Sequence, residues 1–269
     1  MEDEGLEVYP KKIGRKEILF LRDSVFKTGS PAHKRWQISV VGSWLSRYGN
    51  DIVKKMEFAW PDDDRITVDW LEPEEVIKIM RSAVGLEKLV IHLELGLGLR
   101  RIDMQRLTMQ RVHDGYFDVL GKGKAGGKSR TVSWDEETPK IIEDYYLWRN
   151  KTIKEVHKKY PMVWVPDSLL IYAKGKKIGE YQLTAIDNIV PRVARRAGIN
   201  RKITNHTLRR TCGRMLYKSG VTLVTISDIL GHKDVKTTIK YLGLNLDDQR
   251  MAFEKKSKFL KNVREGMKE

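Results

Sequence analysis

Several side chains able to bind anions, move protons or attack as nucleophiles lie in the last quarter of the sequence. His206 and Arg209 are three positions apart, which places them on one face if the segment is helical. His232 follows a glycine in a short Leu-Gly-His turn, and Tyr241 lies nine residues further on. Guanidinium groups bind anionic oxygens, imidazoles exchange protons near neutral pH, and a positioned phenol can act as a nucleophile. These residue types suit chemistry on an anionic group.

Two upstream segments contribute further cationic side chains. Gly98-Leu99-Arg100-Arg101-Ile102-Asp103 opens a predicted helix, and Gly121-Lys122-Gly123-Lys124 lies in a predicted turn between two strands. Each residue alone has an ordinary structural explanation, because most tyrosines pack, most buried histidines hydrogen-bond and most loop lysines are solvated. No single residue is diagnostic, but their combination in this order along the chain is: an arginine, a lysine in a turn, His-x-x-Arg, Gly-His and then a tyrosine.

The balance of charge indicates an anionic partner for the second part of the chain. The 269 residues include 51 Lys and Arg against 36 Asp and Glu, a net charge of +15. Residues 1–70 hold 12 of each sign, so residues 71–269 carry 39 basic and 24 acidic side chains and the entire excess. We therefore expect this part to face a polyanion such as nucleic acid. A solvated basic surface on a thermophilic protein is the alternative.

Composition also excludes several classes of protein. The hydrophobic fraction of 41% is too high for a disordered chain. The acidic start MEDEGLEVYP lacks the features of a secretory signal, and the most apolar stretch, residues 89–99, is too short for a membrane-spanning helix. The single cysteine, Cys212, excludes an internal disulfide and a cysteine-rich zinc site, which predicts a reducing, cytoplasmic location. The sequence contains neither clustered metal ligands nor a Walker-type glycine loop.

Helical periodicity and charge divide the chain near residue 65. Apolar residues recur at helical spacing over residues 14–28 and 31–48, with a break at Thr28-Gly29-Ser30-Pro31. Residues 59–65 contain a proline and a run of aspartates without periodicity, which predicts a linker. We therefore expect a short helical domain at residues 1–65 and a second domain at residues 66–269.

The second domain is predicted to be mainly α-helical with one small antiparallel β-sheet. A helix is predicted to start at residues 71–75, because proline suits the first turn and carboxylates favour the positive end of the helix dipole. Two short runs, residues 116–120 and 130–134, predict paired strands. The remaining predicted elements are helices at residues 136–157 and 182–197, a hairpin near residues 169–179, and helices from Thr204 almost to the end.

Four segments carry a resemblance to a known family: GLRRIDMQRL, VLGKGK, HTLRRTCGRMLYKSG and ISDILGHKDVKTTIKY. In sequence and separation they resemble the tyrosine recombinases, which include phage and plasmid integrases and Xer-type recombinases and share active-site chemistry with type IB topoisomerases. The resemblance covers residues 71–261. It implies a tyrosine-recombinase catalytic domain at residues 66–269, preceded by a short helical core-binding domain that clamps DNA at residues 1–65.

By position, the resemblance assigns six catalytic residues. The family's first arginine directly follows Gly-Leu and precedes an acidic residue by three positions, here Asp103. The family's lysine lies in the strand turn and falls on Lys122, with Lys124 and Lys128 as alternatives because the turn contains extra glycines. The complete expected set is Arg100, Lys122, His206, Arg209, His232 and the nucleophile Tyr241.

The resemblance implies cleavage of double-stranded DNA through a covalent 3′-phosphotyrosyl intermediate and a free 5′ hydroxyl, without metal or ATP. The two arginines suit the non-bridging phosphate oxygens, whose charge grows in the transition state. His206 would accept the tyrosine proton, Lys122 would protonate the leaving 5′ oxygen, and His232 would donate to a phosphate oxygen. We therefore expect a site-specific recombinase or integrase, as in a microbial mobile element. Relaxation of supercoiled DNA in the manner of a type IB topoisomerase and an inactive DNA-binding module are the alternatives.

The C-terminal segment adds a prediction about assembly. Met251, Phe259, Leu260, Val263 and Met267 are apolar among many lysines, which predicts an amphipathic tail. This tail either folds back on its own core or, as in the family, docks on a neighbouring protomer of a homotetramer on two DNA duplexes. The DNA target, the direction of the reaction and the choice between attack in the same or a neighbouring protomer stay open.

Overall fold

The chain divides into two compact units, Met1–Ile66 and Thr67–Glu269, each with its own hydrophobic core. The computed structural model describes residues 7–26, 28–60, 69–121, 129–244 and 246–266. Most of the predicted linker at residues 59–65 therefore lies outside the described residues. Among the described helices, none combines the length and the apolar composition needed to cross a membrane.

The first unit is helical. It contains α1 (Arg15–Phe20), a π-helical turn (Leu21–Val25), α2 (Pro31–Ser46) and α3 (Ile52–Lys55). α2 begins at Ser30, whose hydroxyl accepts the N–H of His33 at 3.2 Å, and proline suits the first helical position because its missing N–H would be unpaired there. The apolar faces meet around Ile18 and Leu45, which are fully buried. Both helices predicted for this unit, and the break between them, are confirmed.

The second unit is built around one apolar helix, α5. Nearly every α5 side chain is buried, and the helix packs against α7, α9 and α10. The predicted helix start at residues 71–75 is confirmed, because α4 begins at Pro73 and the Glu75 carboxylate accepts the N–H of Glu72 at 3.0 Å. The helices of this unit are α4 (Pro73–Ser82), α5 (Leu86–Leu95), α6 (Arg101–Gln105), α7 (Thr138–Lys159), α8 (Leu183–Asp187), α9 (Ile189–Arg196), α10 (Asn205–Lys218), α11 (Leu223–Leu230), α12 (Val235–Leu242) and α13 (Leu246–Gly266).

Two small antiparallel sheets complete the second unit. The first has the order β1 (Val112–His113), β2 (Tyr116–Leu120) and β3 (Ser129–Ser133). In it, Phe117 lies opposite Val132, so that both bury their side chains. The second is the hairpin of β4 (Ile171–Lys174) and β5 (Lys177–Glu180). The predicted strands are confirmed, and β1 is an addition too short for a periodic signal.

The helix predicted at residues 182–197 is two helices in the structure. Residues 182–197 form α8 and α9, which meet at Asn188. Pro191 has no N–H to donate to the carbonyl of Asp187, so a continuous helix would lose a hydrogen bond there and crowd the proline ring. The fold class itself, mainly α with a small antiparallel sheet, is confirmed.

Candidate active site

Helix α10 carries the His-x-x-Arg segment and places Arg209 inside the second unit. Thr204 caps this helix, since its hydroxyl accepts the N–H of Thr207 at 3.3 Å. Arg209 is 2% exposed. Its Nη1 donates to the carbonyl of Gly98 and its Nη2 to the carbonyl of Leu230. One guanidinium thus joins the loop before α6 to the end of α11.

Gly98 permits this close contact between α6, α10 and α11. Its backbone has a φ of +64°, a region that L-residues other than glycine rarely adopt. A Cβ at this position would lie 2.8 Å from Leu230 and 3.2 Å from the Sγ of Cys212. Both the positive φ and the close packing therefore require glycine at the first position of the Gly-Leu pair that precedes Arg100.

A second glycine, Gly231, is the point where two arginines converge. It ends α11 with a φ of +59°, and its carbonyl accepts the Nη2 of Arg100 at 2.8 Å. A Cβ on Gly231 would lie 3.2 Å from the Nη1 of Arg100 and 3.1 Å from the Nε of Arg130. Arg209 donates to the carbonyl of Leu230, the residue before Gly231. Repulsion from Arg100 and Arg130 adds to the effect of burial in lowering its pKa. We call Arg100, Arg130 and Arg209 the arginine cluster.

The two adjacent arginines at the start of α6 have different environments. Arg100 caps the helix, with its N–H donated to Oδ2 of Asp103 at 3.1 Å, and turns its guanidinium to Gly231. Arg101 instead forms an ion pair with Asp187 of α8 at the surface. The structure therefore brings Arg100, and not Arg101, into the arginine cluster.

The cluster concentrates positive charge in a poorly hydrated place. Burial, followed by repulsion from Arg100, lowers the pKa of Arg209 to about 10. Burial also lowers the pKa of Arg130, and the buried carboxylate of Asp103 acts in the opposite direction. Guanidinium groups in proteins stay charged at neutral pH, so the cluster attracts an anion.

His232 sits beside the cluster as a neutral imidazole. Its Nδ1 lies 2.8 Å from the hydroxyl oxygen of Thr238, which is fully buried on α12. Burial lowers the pKa of His232 to about 4, with further lowering by Arg209 and Arg100. At pH 7 the ring is therefore uncharged, and Thr238 fixes its orientation.

Tyr241 lies on α12 against the same histidine. Its half-buried ring meets the His232 ring edge to face, with the centroids 5.0 Å apart. The guanidinium of Arg210 lies 5.3 Å from the Tyr241 centroid. Burial raises the pKa of the Tyr241 hydroxyl, while Arg209 and Arg210 act in the opposite direction. The residue is a neutral phenol at pH 7.

His206 is placed differently from the other predicted residues. It lies in the first turn of α10 and keeps more of its surface exposed, yet partial loss of hydration, and then Arg210 and Arg209, lower its pKa. The Tyr241 hydroxyl donates to the main-chain carbonyl of His206 at 3.4 Å, a long hydrogen bond. The structure thus brings the backbone of His206, rather than its imidazole, to the phenol.

The predicted catalytic lysine lies outside the described residues. Lys122, Lys124 and Lys128 all lie in residues 122–128, outside the described residues. The strands on either side, β2 and β3, are described, and β3 carries Arg130 into the arginine cluster.

Sequence reasoning missed three residues of this site: Arg130, Arg210 and Thr238. A signal existed for Arg130, because alternation along β3 places it on the same face as the buried Val132. An arginine at an inward position of a strand needs a partner, which is Asp103. Nothing in the sequence pointed to Arg210 or Thr238, because both contacts depend on how α10 and α12 pack.

The arrangement combines a cationic pocket with a neutral imidazole and a neutral phenol. Arg209 and Arg100 use only some of their five N–H donors on main-chain carbonyls, which leaves others for an anionic ligand. In the part of the chain that is described, no group of three or more His, Cys, Asp or Glu side chains forms a cluster that could hold a metal ion. The residues that are present suit nucleophilic attack on a bound phosphate.

Comparison with known proteins places this geometry in a family. The family model described as the phage integrase family matches residues 69–247. The tyrosine recombinase XerA of Saccharolobus solfataricus is 28% identical over 196 residues, which cover 72% of this chain and 59% of that relative. The chain therefore spans less than two thirds of the length of this curated relative.

Two solved structures share the fold. A XerH site-specific recombinase bound to its palindromic difH substrate matches with a TM-score of 0.64 and 19% identity, covering 90% of this chain and 72% of that one. A lambda integrase tetramer bound to a Holliday junction matches with a TM-score of 0.59 and 17% identity, covering 91% and 70%. The family match spans well over half of the chain and contains Arg100, Arg209 and Tyr241. The chain therefore belongs to the phage integrase family of tyrosine recombinases, as the four sequence segments predicted.

Proposed function

We propose that the protein is a site-specific DNA recombinase that breaks and rejoins strands through a covalent bond between Tyr241 and a 3′ phosphate. One observation carries the proposal. Within a single chain, Tyr241 lies against His232 and within the field of Arg209, and Arg209 shares the arginine cluster with Arg100. A phenol beside a cluster of fixed guanidinium groups is the arrangement that attack on a phosphodiester requires.

The arginine cluster would bind the scissile phosphate. Charge on the non-bridging oxygens increases as the phenolic oxygen approaches phosphorus, so donors fixed in advance stabilise the transition state more than the ground state. Arg209 is fixed by two main-chain carbonyls and Arg100 by one. Neither guanidinium needs to reorganise when the phosphate enters.

The proton of the phenol must leave as the new bond forms. Burial raises the pKa of Tyr241, so attack by a preformed tyrosinate at pH 7 is disfavoured and a proton acceptor is needed. We assign this role to His206 on the resemblance: its lowered pKa keeps the imidazole unprotonated at pH 7. Because the phenol here contacts the main-chain carbonyl of His206, DNA binding has to turn the exposed imidazole towards the hydroxyl. His232, oriented by Thr238, would contact a phosphate oxygen through Nε2.

The leaving 5′ oxygen needs a proton in return. We assign this role to Lys122, on the resemblance alone, with Lys124 and Lys128 as alternatives. The phosphotyrosyl bond then retains the energy of the broken phosphodiester, so a 5′ hydroxyl from another strand can reverse the step without ATP.

We further propose that Tyr241 attacks within its own protomer. Its ring already contacts His232 and Arg210 of the same chain, and its hydroxyl reaches the carbonyl of His206. Mixing a Tyr241→Phe chain with an Arg209→Ala chain tests this. Attack in the same protomer predicts no adduct from the mixture, whereas attack in a neighbour would restore one in mixed assemblies.

The activity is tested by trapping the covalent adduct. Nicked duplexes tiled across the locus that encodes the protein are incubated with the full chain in EDTA and resolved on a denaturing gel. We expect an adduct that disappears with Tyr241→Phe and persists with Tyr217→Phe, a half-buried tyrosine near the same helices. An adduct that survives in Tyr241→Phe would refute Tyr241 as the nucleophile. DNA binding without any adduct would favour the inactive-module alternative.

We propose that the first unit contacts DNA beside the site. Residues 1–70 carry no net charge because acidic residues lie near both ends of this segment, whereas residues 7–60 hold 11 Lys and Arg against 5 Asp and Glu. Arg47 and Lys55 are exposed there. Replacing either with alanine should weaken binding to all sequences and reduce the slope of log K against log salt by about 1. An unchanged slope would contradict contact with phosphates.

We propose that α13 joins protomers into a homotetramer on two duplexes. Arg214 pairs with Asp248 at 2.7 Å, which anchors the first turn of α13 to α10. Beyond that turn the apolar side chains Phe253, Phe259, Leu260 and Val263 are exposed rather than packed on their own core.

The assembly test separates synapsis from simple binding. Phe259→Ala with Leu260→Ala retains the anchored first turn and should weaken pairing of two duplexes more than binding to one. Lys258→Ala with Lys261→Ala on the same helix is the matched control. Equal loss of pairing and of single-duplex binding in the first variant would count against the role of α13.

A further inference from the structure

Arg130 occupies an inward position on β3 that an apolar residue would ordinarily fill. It shares the face of Val132, which is 6% exposed, and the Arg130 side chain itself is 18% exposed. Its Nη2 and Nη1 both donate to Oδ2 of Asp103, at 3.0 and 3.2 Å. A buried guanidinium with this geometry is fixed rather than free to rotate.

Asp103 connects Arg130 to Arg100. The carboxylate is fully buried, and the same Oδ2 also accepts the main-chain N–H of Arg100 at 3.1 Å. A buried carboxylate is strongly disfavoured unless a cation balances it, and Arg130 is the cation that forms an ion pair with Asp103. The main chain of Arg100 is consequently held by a carboxylate that depends on Arg130.

Arg130 also borders the pocket directly. Its Nε lies beside the position that a Gly231 Cβ would take, next to the Nη1 of Arg100, and this Nε–H is buried without a hydrogen-bond partner in the described part of the chain. Two guanidiniums that repel each other are thus held next to the same glycine. An anion placed there relieves the repulsion.

We propose that Arg130 is a positioning residue of the phosphate site: it holds Arg100 through Asp103 and adds its own charge to the field at the scissile phosphate. This inference rests on the proposed function. The competing explanation is an ion pair that serves folding alone, as many buried arginine contacts do.

The experiment compares two substrates that differ only in charge. A methylphosphonate replaces one non-bridging oxygen of the scissile phosphate with a methyl group, so the reacting centre is neutral and needs less positive charge. We expect Arg130→Met to slow adduct formation on the ordinary phosphate by on the order of 10- to 100-fold under single-turnover conditions, with little change in DNA affinity. On the methylphosphonate the loss relative to the unmodified chain should shrink to a few-fold. Arg130→Lys, which keeps the charge, should lie between.

Folding is controlled with two further variants. Arg130→Met leaves Asp103 unpaired, so the double variant Arg130→Met with Asp103→Asn removes both charges and keeps a folded chain for the same assay. Arg149→Lys is the control, because Arg149 is an even more buried arginine that donates to the carbonyls of Pro166 and Ser168 instead of to a residue of the cluster. Any loss it causes should be the same on both substrates.

The outcomes separate the inference from the function on which it rests. Folded Arg130 variants that cleave the phosphate at the unmodified rate, or that lose the same factor on both substrates, overturn the positioning role. Absence of an adduct with the unmodified chain on either substrate overturns the proposed function instead.

Discussion

The buried carboxyl of Glu94 provides a quantitative test of the electrostatics beneath the arginine cluster. It lies on α5 with no exposed surface, and neither carboxyl oxygen finds a hydrogen-bond partner among the described residues. Burial raises its pKa well above the ordinary value of 4.5; Arg209 opposes this shift and Asp187 adds to it. The folded protein therefore favours the protonated, uncharged form of this side chain.

Replacing this residue with leucine should stabilise the protein. A buried polar group without a hydrogen bond costs about 1 to 3 kcal/mol in mutational data, and leucine is close to glutamate in size. We expect Glu94→Leu to raise the free energy of unfolding by about this amount at pH 7. The lost charge interaction with Arg209 is small because the carboxyl is already neutral.

The effect should also depend on pH, with a definite sign. Above pH 4.5 the carboxyl loses its proton in the unfolded chain but retains it in the folded one. The folded state then binds more protons than the unfolded state, so the free energy of unfolding falls as pH rises. The slope corresponds to a difference of at most one bound proton, and it ends where the pH reaches the raised pKa of the folded state. Glu94→Leu removes this slope, and its advantage should grow between pH 5 and pH 8.

Urea unfolding of the full chain at several pH values measures both effects. Glu94→Gln keeps the size and polarity of the side chain without titrating, so it should lose the pH slope and gain less stability. Glu155→Gln, an exposed site on α7, should change neither. A Glu94→Leu protein less stable than the unmodified chain at pH 7, or an advantage equal at pH 5 and pH 8, would refute the reasoning.

Four further outcomes follow from the same contacts. Arg209→Lys should slow adduct formation by on the order of 10² to 10³, because an ammonium cannot replace the two donations to Gly98 and Leu230 while also binding phosphate; unchanged single-turnover rates would contradict this. Thr238→Val should lower the rate and leave DNA affinity unchanged, as a filter-binding titration can show. Between pH 6.5 and pH 4 the His232 ring gains a proton in the unfolded chain but not in the folded one, so the free energy of unfolding falls as pH falls. His232→Gln should remove this pH dependence. Gly231→Ala should lower both stability, by about 1 kcal/mol or more, and cleavage, because of its positive φ and the neighbouring guanidiniums.

Local patterns in the sequence were sufficient for most of the fold. Apolar periodicity located α2, α7 and α10, and alternation located β2 and β3. The error at residues 182–197 arose because apolar spacing continues through Pro191 while the hydrogen bonds do not. Periodicity reports which face is buried, and it is insensitive to a single missing donor.

The sequence predicted those residues of the candidate site that lie within a recognisable sequence motif. Arg100, Arg209, His232 and Tyr241 belong to compact segments whose order is informative, and the structure gathers them. Contacts made by side chains from distant strands and helices leave no such pattern. Arg130 and Asp103 are 27 residues apart in the sequence. The hydroxyl of Tyr241 contacts His206 through the main-chain carbonyl, a contact that no sequence motif encodes.

The neutral histidines and the crowded guanidiniums are two consequences of one arrangement. Burial, followed by Arg209 and Arg100, lowers the pKa of His232, and burial, followed by Arg210 and Arg209, lowers that of His206. A phosphate bound in the arginine cluster would oppose the same positive field and raise both pKa values. His206 would then become a stronger proton acceptor only when the substrate is present. In the proposed mechanism the charge of the phosphate would thus both complete the arginine cluster and prepare the imidazole assigned to accept the proton of Tyr241, which would couple proton transfer to phosphate binding.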